Sequence, residues 1–235
     1  MVTDIDADAL RSTEKKLLEI TSDVLAVTAD VTSHDDAARA AQEIEHRFGR
    51  LDVLINNAGM GSRSTFDDTS LEVFETIIRI NFLGAVTMTK TMLPLIRSSK
   101  GSIVFISSVA GLKGLPGASA YSASKMVLKS FSESIRCELM RDGVHVGLIY
   151  LGFTQNDEDK RFYRGDGELT VLRPSKYNLT QRQVADALLR MVRKRQRLRV
   201  LSLFGKTVRI AYLLLPRISD LALAIGTYKS KMYKT

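Results

Sequence analysis

Four near-continuous apolar runs, set apart by longer amphipathic stretches, limit what this chain can become. They are "DVLAVTAD" (Asp23 to Asp30), "LDVLINNAG" (Leu51 to Gly59), "GSIVFISS" (Gly101 to Ser108) and "VHVGLIYLG" (Val144 to Gly152). Runs rich in Val, Ile and Leu without strict alternation suit strands buried on both faces, as in a parallel sheet. The stretches between them carry helix starts. Ser33 with Asp36 reads as a capping box opening a helix to about Phe48; Thr69 with Glu72 opens another that Pro94 helps to end; a third runs from about Ser119 to Met140. Such alternation predicts an α/β fold, a doubly wound parallel sheet with right-handed crossovers. Ligands of these sheets bind beyond the carboxyl ends of the strands.

That rule selects three strand ends: "NNAG", "SSVAG" and "LGFT". Tyr121 stands near the start of the helix that leaves the same edge. In "AYSASK" it lies four residues before Lys125, about one helical turn, so both share a face. An ammonium beside a phenol favours the phenolate and brings Tyr121 toward the range of a general acid or base. Taken alone, the pair is also what chance places on many helices.

Taken with its neighbours, it resembles the short-chain dehydrogenase/reductase family. The matching residues are "NNAG" (Asn56 to Gly59), "NFLG" (Asn81 to Gly84), Ser108 of "ISSVAG" and "YSASK" (Tyr121 to Lys125), with Ser108 13 residues before Tyr121. The resemblance covers about Val2 to Thr154 and implies a Rossmann-like fold and hydride transfer between a nicotinamide cofactor and a carbonyl or secondary alcohol. Tyr121 would exchange the proton, Lys125 would lower its pKa and bond the nicotinamide ribose, Ser108 would hold the reacting oxygen, and Asn81 would support a proton relay. The same resemblance implies cofactor contacts at Asp30 and Val31 near the adenine, at Asn57, Ala58 and Gly59, and at Gly152 and Thr154. Leu151 departs from the pattern, where the family usually has proline.

A dinucleotide fold normally opens with a strand, a glycine-rich turn and a helix, the ribose-binding acid following about 20 residues later. Here that acid is Asp4, at the end of the short strand "MVTD". The reading is therefore of an N-terminally truncated Rossmann-like sheet lacking one central strand and one covering helix, with apolar surface left exposed. "GLKGLPG" (Gly111 to Gly117) suits a substrate-side loop rather than a phosphate cradle. The cofactor is NAD or NADP; Asp4 favours NAD, because a carboxylate accepts from a ribose hydroxyl and repels a 2′-phosphate.

Residues 1–200 read as one catalytic domain, with a polar substrate loop at about 153–180 that shows no helical or strand period. Phe153, Phe162, Tyr163 and Leu172 are its candidate pocket residues. "QVADALLRMVRKRQRLRV" reads as a helix turning Ala185, Leu188, Leu189 and Val192 to the core. Residues 201–235 form an apolar, basic tail. The net charge of +8 is concentrated there: residues 182–235 hold 13 Lys or Arg against two Asp, and the remainder is net negative. The broken apolar stretch from Val200 to Gly226 is too interrupted to span a bilayer. It leaves open peripheral membrane contact, a solvated basic face or self-association. No nucleic-acid module or metal-ligand cluster is evident. The sole cysteine, Cys137, reads as a small buried residue in a reducing, cytoplasmic setting. The second function class is a non-catalytic protein of this fold, acting at a membrane or as an interaction module.

Overall fold

The protein is described from a computed structural model covering residues 1–155, 160–171 and 179–229. In chain order its elements are β1 (Val2–Asp4), α1 (Ala7–Leu18), β2 (Ala26–Thr28), α2 (His34–Phe48), β3 (Val53–Asn56), β4 (Gly61–Ser62), α3 (Leu71–Ile78), α4 (Gly84–Ser99), β5 (Ser102–Ser108), α5 (Ser119–Glu138), β6 (His145–Leu151), β7 (Arg161–Tyr163), β8 (Leu169–Val171), α6 (Gln181–Arg193), β9 (Leu198–Val200), α7 (Leu203–Leu214) and α8 (Pro216–Lys229).

The apolar runs at Gly101 to Ser108 and Val144 to Gly152 become the centre of the sheet. β5 and β6 pair in parallel from Ser102 opposite His145 to Ser108 opposite Leu151, and only the last residue of each is not buried. β3 and β9 flank them in the order β3-β5-β6-β9, all parallel. β1 and β2 pair only with each other, so β1 and β3 each keep one unbonded edge among the described residues. Ile55 of β3 is 43% exposed. The two sheets are joined through side chains: Ala37, Ala40 and Ile44 of α2 pack with Val27, Met88 and Met92. α4 and α5 cover β5 and β6 from one side, and Ala187 and Met191 of α6 meet Val104, Ile106 and Ile149 from the other.

Local chemistry explains most helix boundaries and corrects several expectations. Ser33 caps α2 by accepting from the Asp36 N–H, but the Asp36 carboxylate turns to the Asp30 N–H at 2.9 Å, so only half of the capping box forms. α3 is capped by Ser70, not Thr69, whose hydroxyl instead donates to the Thr65 carbonyl. Pro94 does not end its helix. It lies inside α4, which continues to Ser99 because Met92 and Ile96 on either side of it are fully buried and outweigh one missing donor. α6 turns Leu188 and Val192 to the core as expected, with Ala187 and Met191 buried beside them, while Ala185 and Leu189 are exposed. Cys137 is exposed on α5 rather than buried.

The segment read as periodless holds a hairpin. β7 and β8 pair antiparallel, and β7 adds to β4 in parallel. Gly167, at φ 89°, makes the turn between them. Leu172 lies outside the described residues.

Candidate active site

Tyr121 and Lys125 fall in the first two turns of α5, as the spacing requires. Ser108 ends β5 and bonds the Tyr121 phenol, while its own hydroxyl accepts from the Ala110 N–H at 3.2 Å. Burial of the phenol raises the Tyr121 pKa above its ordinary value, and the Ser108 hydrogen bond works against that rise. The expected lowering by Lys125 is therefore not what governs the phenol. The Lys125 ammonium donates to the Ile106 carbonyl at 3.1 Å, and burial, aided by the nearby Lys160 charge, brings its own pKa to about 8. The Ser107 hydroxyl donates to the Lys125 carbonyl at 2.8 Å, which fixes α5 against β5.

Asn81 is not in the middle of a regular helix. It sits in a π-helical turn, Arg79–Leu83, between α3 and α4. The wider turn aims its amide inward, where it accepts from the Met60 N–H at 2.7 Å and donates to the Met60 carbonyl at 2.8 Å and the Ser124 hydroxyl at 2.8 Å. Both Asn81 and Ser124 are fully buried. Sequence reasoning missed Ser124, which stands inside the Tyr/Lys pair; its signal was a hydroxyl one residue from Lys125 where any small residue would have served a plain helix.

Gly59 closes this cluster. A Cβ there would lie 2.9 Å from the Asn81 Oδ1 and 3.1 Å from the Lys125 Nζ, so only glycine lets the chain pass so near both. Asn57, Ala58 and Gly59 follow β3 and are exposed at the same edge. Asp4 ends β1, exposed, its Oδ1 accepting from the Asp6 N–H. The Asp30 side chain accepts from the Thr32 N–H, shaping the turn before α2, and Val31 packs against Gly84. Thr154 bridges to Leu179 and donates to the Gly152 carbonyl. Gly152 packs closely on Ser202, where a Cβ would come within 2.7 Å of the serine side chain. The structure thus brings Asn81, Ser108, Tyr121, Lys125 and Gly59 together.

Residues 1–165 match the family pattern described as short chain dehydrogenase. The chain belongs to that family. Among curated relatives, "11-beta-hydroxysteroid dehydrogenase 1A" of Arabidopsis thaliana is 39% identical over 63% of this chain and 43% of its own. "Dehydrogenase/reductase SDR family member 7B" of Mus musculus is 38% identical over 60% of this chain and 44% of its own. The matched segments span under half the length of those two relatives. Among solved structures, a short-chain dehydrogenase from Streptomyces avermitilis superposes with a TM-score of 0.79 at 23% identity, covering 96% of this chain and 86% of its own. A short chain dehydrogenase/reductase from Burkholderia phymatum in complex with NAD gives 0.76 at 20% identity, over 92% and 85%. These likenesses show the fold: α/β, Rossmann-like, with a parallel central sheet. No helix of the described residues is long and apolar enough to cross a membrane.

Proposed function

We propose that this chain carries the proton-transfer site of an NAD(P)-dependent oxidoreductase that interconverts a carbonyl and a secondary alcohol. The observation that carries the reading is the placing of Ser108 at the end of β5 with Tyr121 and the buried Lys125 one turn apart on the helix that leaves the same edge. A bound nicotinamide would supply or accept the hydride. The residues present fit its nicotinamide half: Gly59 leaves open backbone beside Lys125, and Tyr121 and Lys125 share that face. Asn57 and Ala58 would lie along the cofactor, Asp30 and Val31 at the adenine, Thr154 at the carboxamide with Gly152 shaping its turn, and Asp4 at the ribose hydroxyls, favouring NAD.

In the reducing direction the Ser108 hydroxyl donates to the substrate carbonyl oxygen and fixes its position. Burial keeps the Tyr121 phenol protonated at neutral pH, so it stands ready as the acid. Its O–H bond breaks as the alcohol O–H forms, and the protonated Lys125 stabilises the phenolate left behind. Asn81 holds the Met60 peptide and Ser124 in place beneath this pair.

A second part of the reading concerns the tail. Leu203, Ile210, Leu213, Leu214, Ile218 and Leu221 are more than half exposed on α7 and α8. Lys206, Arg209 and Arg217 stand among them. Exposed apolar helices with cations suit the surface of an anionic bilayer, and with it a lipid-like alcohol or ketone as substrate. The hydroxysteroid dehydrogenase names of two relatives accord with such a substrate.

Tyr121→Phe tests the chemistry in a form of the protein that reduces a ketone with NADH or NADPH. Turnover should fall at least about 100-fold with NADH affinity unchanged; unchanged turnover would overturn the assignment. Sedimentation with phosphatidylserine against phosphatidylcholine vesicles tests the tail. Salt-sensitive binding to the first is expected, and binding to neither would remove the membrane part.

A further inference from the structure

We infer that Lys113 is a positioning residue: through Asp220 and Tyr212 it seats the α7–α8 hairpin against the loop joining Ser108 to Tyr121, making that hairpin the rear wall of the active-site edge. Its relevance to catalysis rests on the oxidoreductase reading above; the seating itself does not.

The loop runs from a short 3-10 turn, Val109–Gly111, to the start of α5. It therefore links the serine and the tyrosine of the site. Within it, the Leu115 N–H donates to the Ser122 hydroxyl at 3.1 Å, tying the loop to the turn of α5 that carries Tyr121. Lys113 belongs to this loop, and its side chain is only 8% exposed. Its ammonium lies 2.5 Å from the Asp220 carboxylate and 4.5 Å from the centre of the Tyr212 ring. Both partners are more than 90 residues away in sequence, one on each helix of the hairpin.

Three further contacts register the hairpin on the same edge. Ser202 caps α7 and presses on Gly152, where a Cβ would come within 2.7 Å of it. Gly205 lies so close to Val109 that a Cβ would stand 2.9 Å from its methyl. The rings of Phe153 and Phe204 are 6.4 Å apart. On the other side, Leu223 and Ala224 of α8 face Leu115, Ala123 and Met126 across a cavity of about 500 Å³. Ala123 and Met126 lie on a different face of α5 from Tyr121 and Lys125, so this cavity backs the catalytic loop rather than containing the reacting groups.

The asymmetry of the pair decides its weight. An exposed ion pair contributes little, but a buried ammonium deprived of its carboxylate is costly. Asp220 is 69% exposed and loses little by itself. Lys113 has no such freedom. Without Asp220 its ammonium must leave the wall, and the loop carrying it must move.

Hydrogen exchange by mass spectrometry reads this directly. Asp220→Asn, a change on the exposed partner that leaves the core intact, should speed exchange roughly tenfold both in the hairpin, residues 203–229, and in the loop, residues 109–118. Tyr212→Leu should give a smaller effect in the same two segments, and the reversal Lys113→Asp with Asp220→Lys should restore protection in both. In an active preparation, Asp220→Asn should raise KM for the ketone more than it lowers kcat, with NADH affinity unchanged. Loop exchange that stays at the wild-type rate while the hairpin loosens, or a hairpin unaffected by Asp220→Asn, overturns the proposal. Tyr121→Phe should abolish turnover without altering exchange in either segment, so failure of the latch and failure of the catalytic reading are separate results.

Discussion

The Asn81 amide donates to the Ser124 hydroxyl at 2.8 Å while holding both polar groups of the Met60 backbone, so one side chain joins the π-helical turn, the chain after β3 and the helix of Tyr121. Asn81 and Ser124 lie out of water and Met60 is partly buried, so a lost partner costs much of the desolvation of the group left behind. Asn81→Leu should therefore destabilise the fold by about 3 kcal/mol, since it orphans the Met60 N–H and carbonyl together. Ser124→Ala should cost about 1 kcal/mol, since the amide keeps its other bonds. Urea denaturation of the two variants checks the ratio; equal costs would mean that the Met60 contacts carry no weight.

The candidate site is legible because its residue types stand at fixed intervals, whatever the packing. Ser108, Tyr121 and Lys125 each sit where the strand-and-helix order put them, whereas Asn81 lies in a π-helical turn that splits the expected helix. The errors came where burial decided. Nothing local shows that Pro94 has buried neighbours on both sides that carry its helix onward, or that α6 turns Met191 inward and Leu189 out. Thr69 and Ser70 are equally good caps on paper, and the Thr65 carbonyl settles the choice by taking the threonine hydroxyl. The β7–β8 hairpin was hidden because its strands are three residues each and too short to show a period. The pKa of Tyr121 was misjudged for the same reason: charge is visible in a sequence, but desolvation is not.

Gly111 offers a test of how tightly β5 and α5 are held. A Cβ there would meet the Ser107 Oγ at 2.5 Å and the Lys125 carbonyl oxygen at 2.6 Å. The backbone oxygen cannot rotate away. Gly111→Ala should destabilise by about 2 kcal/mol through overpacking, lowering Tm by roughly 4 to 8 °C for a chain of this size. Calorimetry reads the shift, and an unchanged Tm would mean that the turn yields freely.

Tyr150 predicts the opposite sign. Its hydroxyl is buried with no hydrogen-bond partner among the described residues, and burial, followed by the Glu133 charge, pushes its pKa to about 12. Tyr150→Phe removes an unsatisfied polar group while keeping the ring that fills the core. The variant should be as stable as the parent or more so, by up to about 1 kcal/mol. A clear loss in urea denaturation would show that the hydroxyl has a partner after all.

Lys125 makes stability depend on pH, and the sign follows from its burial. Its pKa in the folded protein is about 8, against an ordinary 10.5. Below about 8 the ammonium is charged in both states, so the folded state bears the whole cost of burying it. Between about 8 and 10.5 the unfolded chain holds the extra proton, and stability rises with pH through that window. The cost relieved is on the order of 3 kcal/mol, part of it returned by the bond to the Ile106 carbonyl. Lys125→Met, which keeps the apolar stem and loses the charge, should then be more stable than the parent at neutral pH. Denaturation midpoints measured from pH 7 to 10.5 should rise for the parent from this source and stay flatter for the variant. Parallel curves would show that the ammonium is hydrated in the folded protein, and would place Lys125 in an open site instead of a dry one.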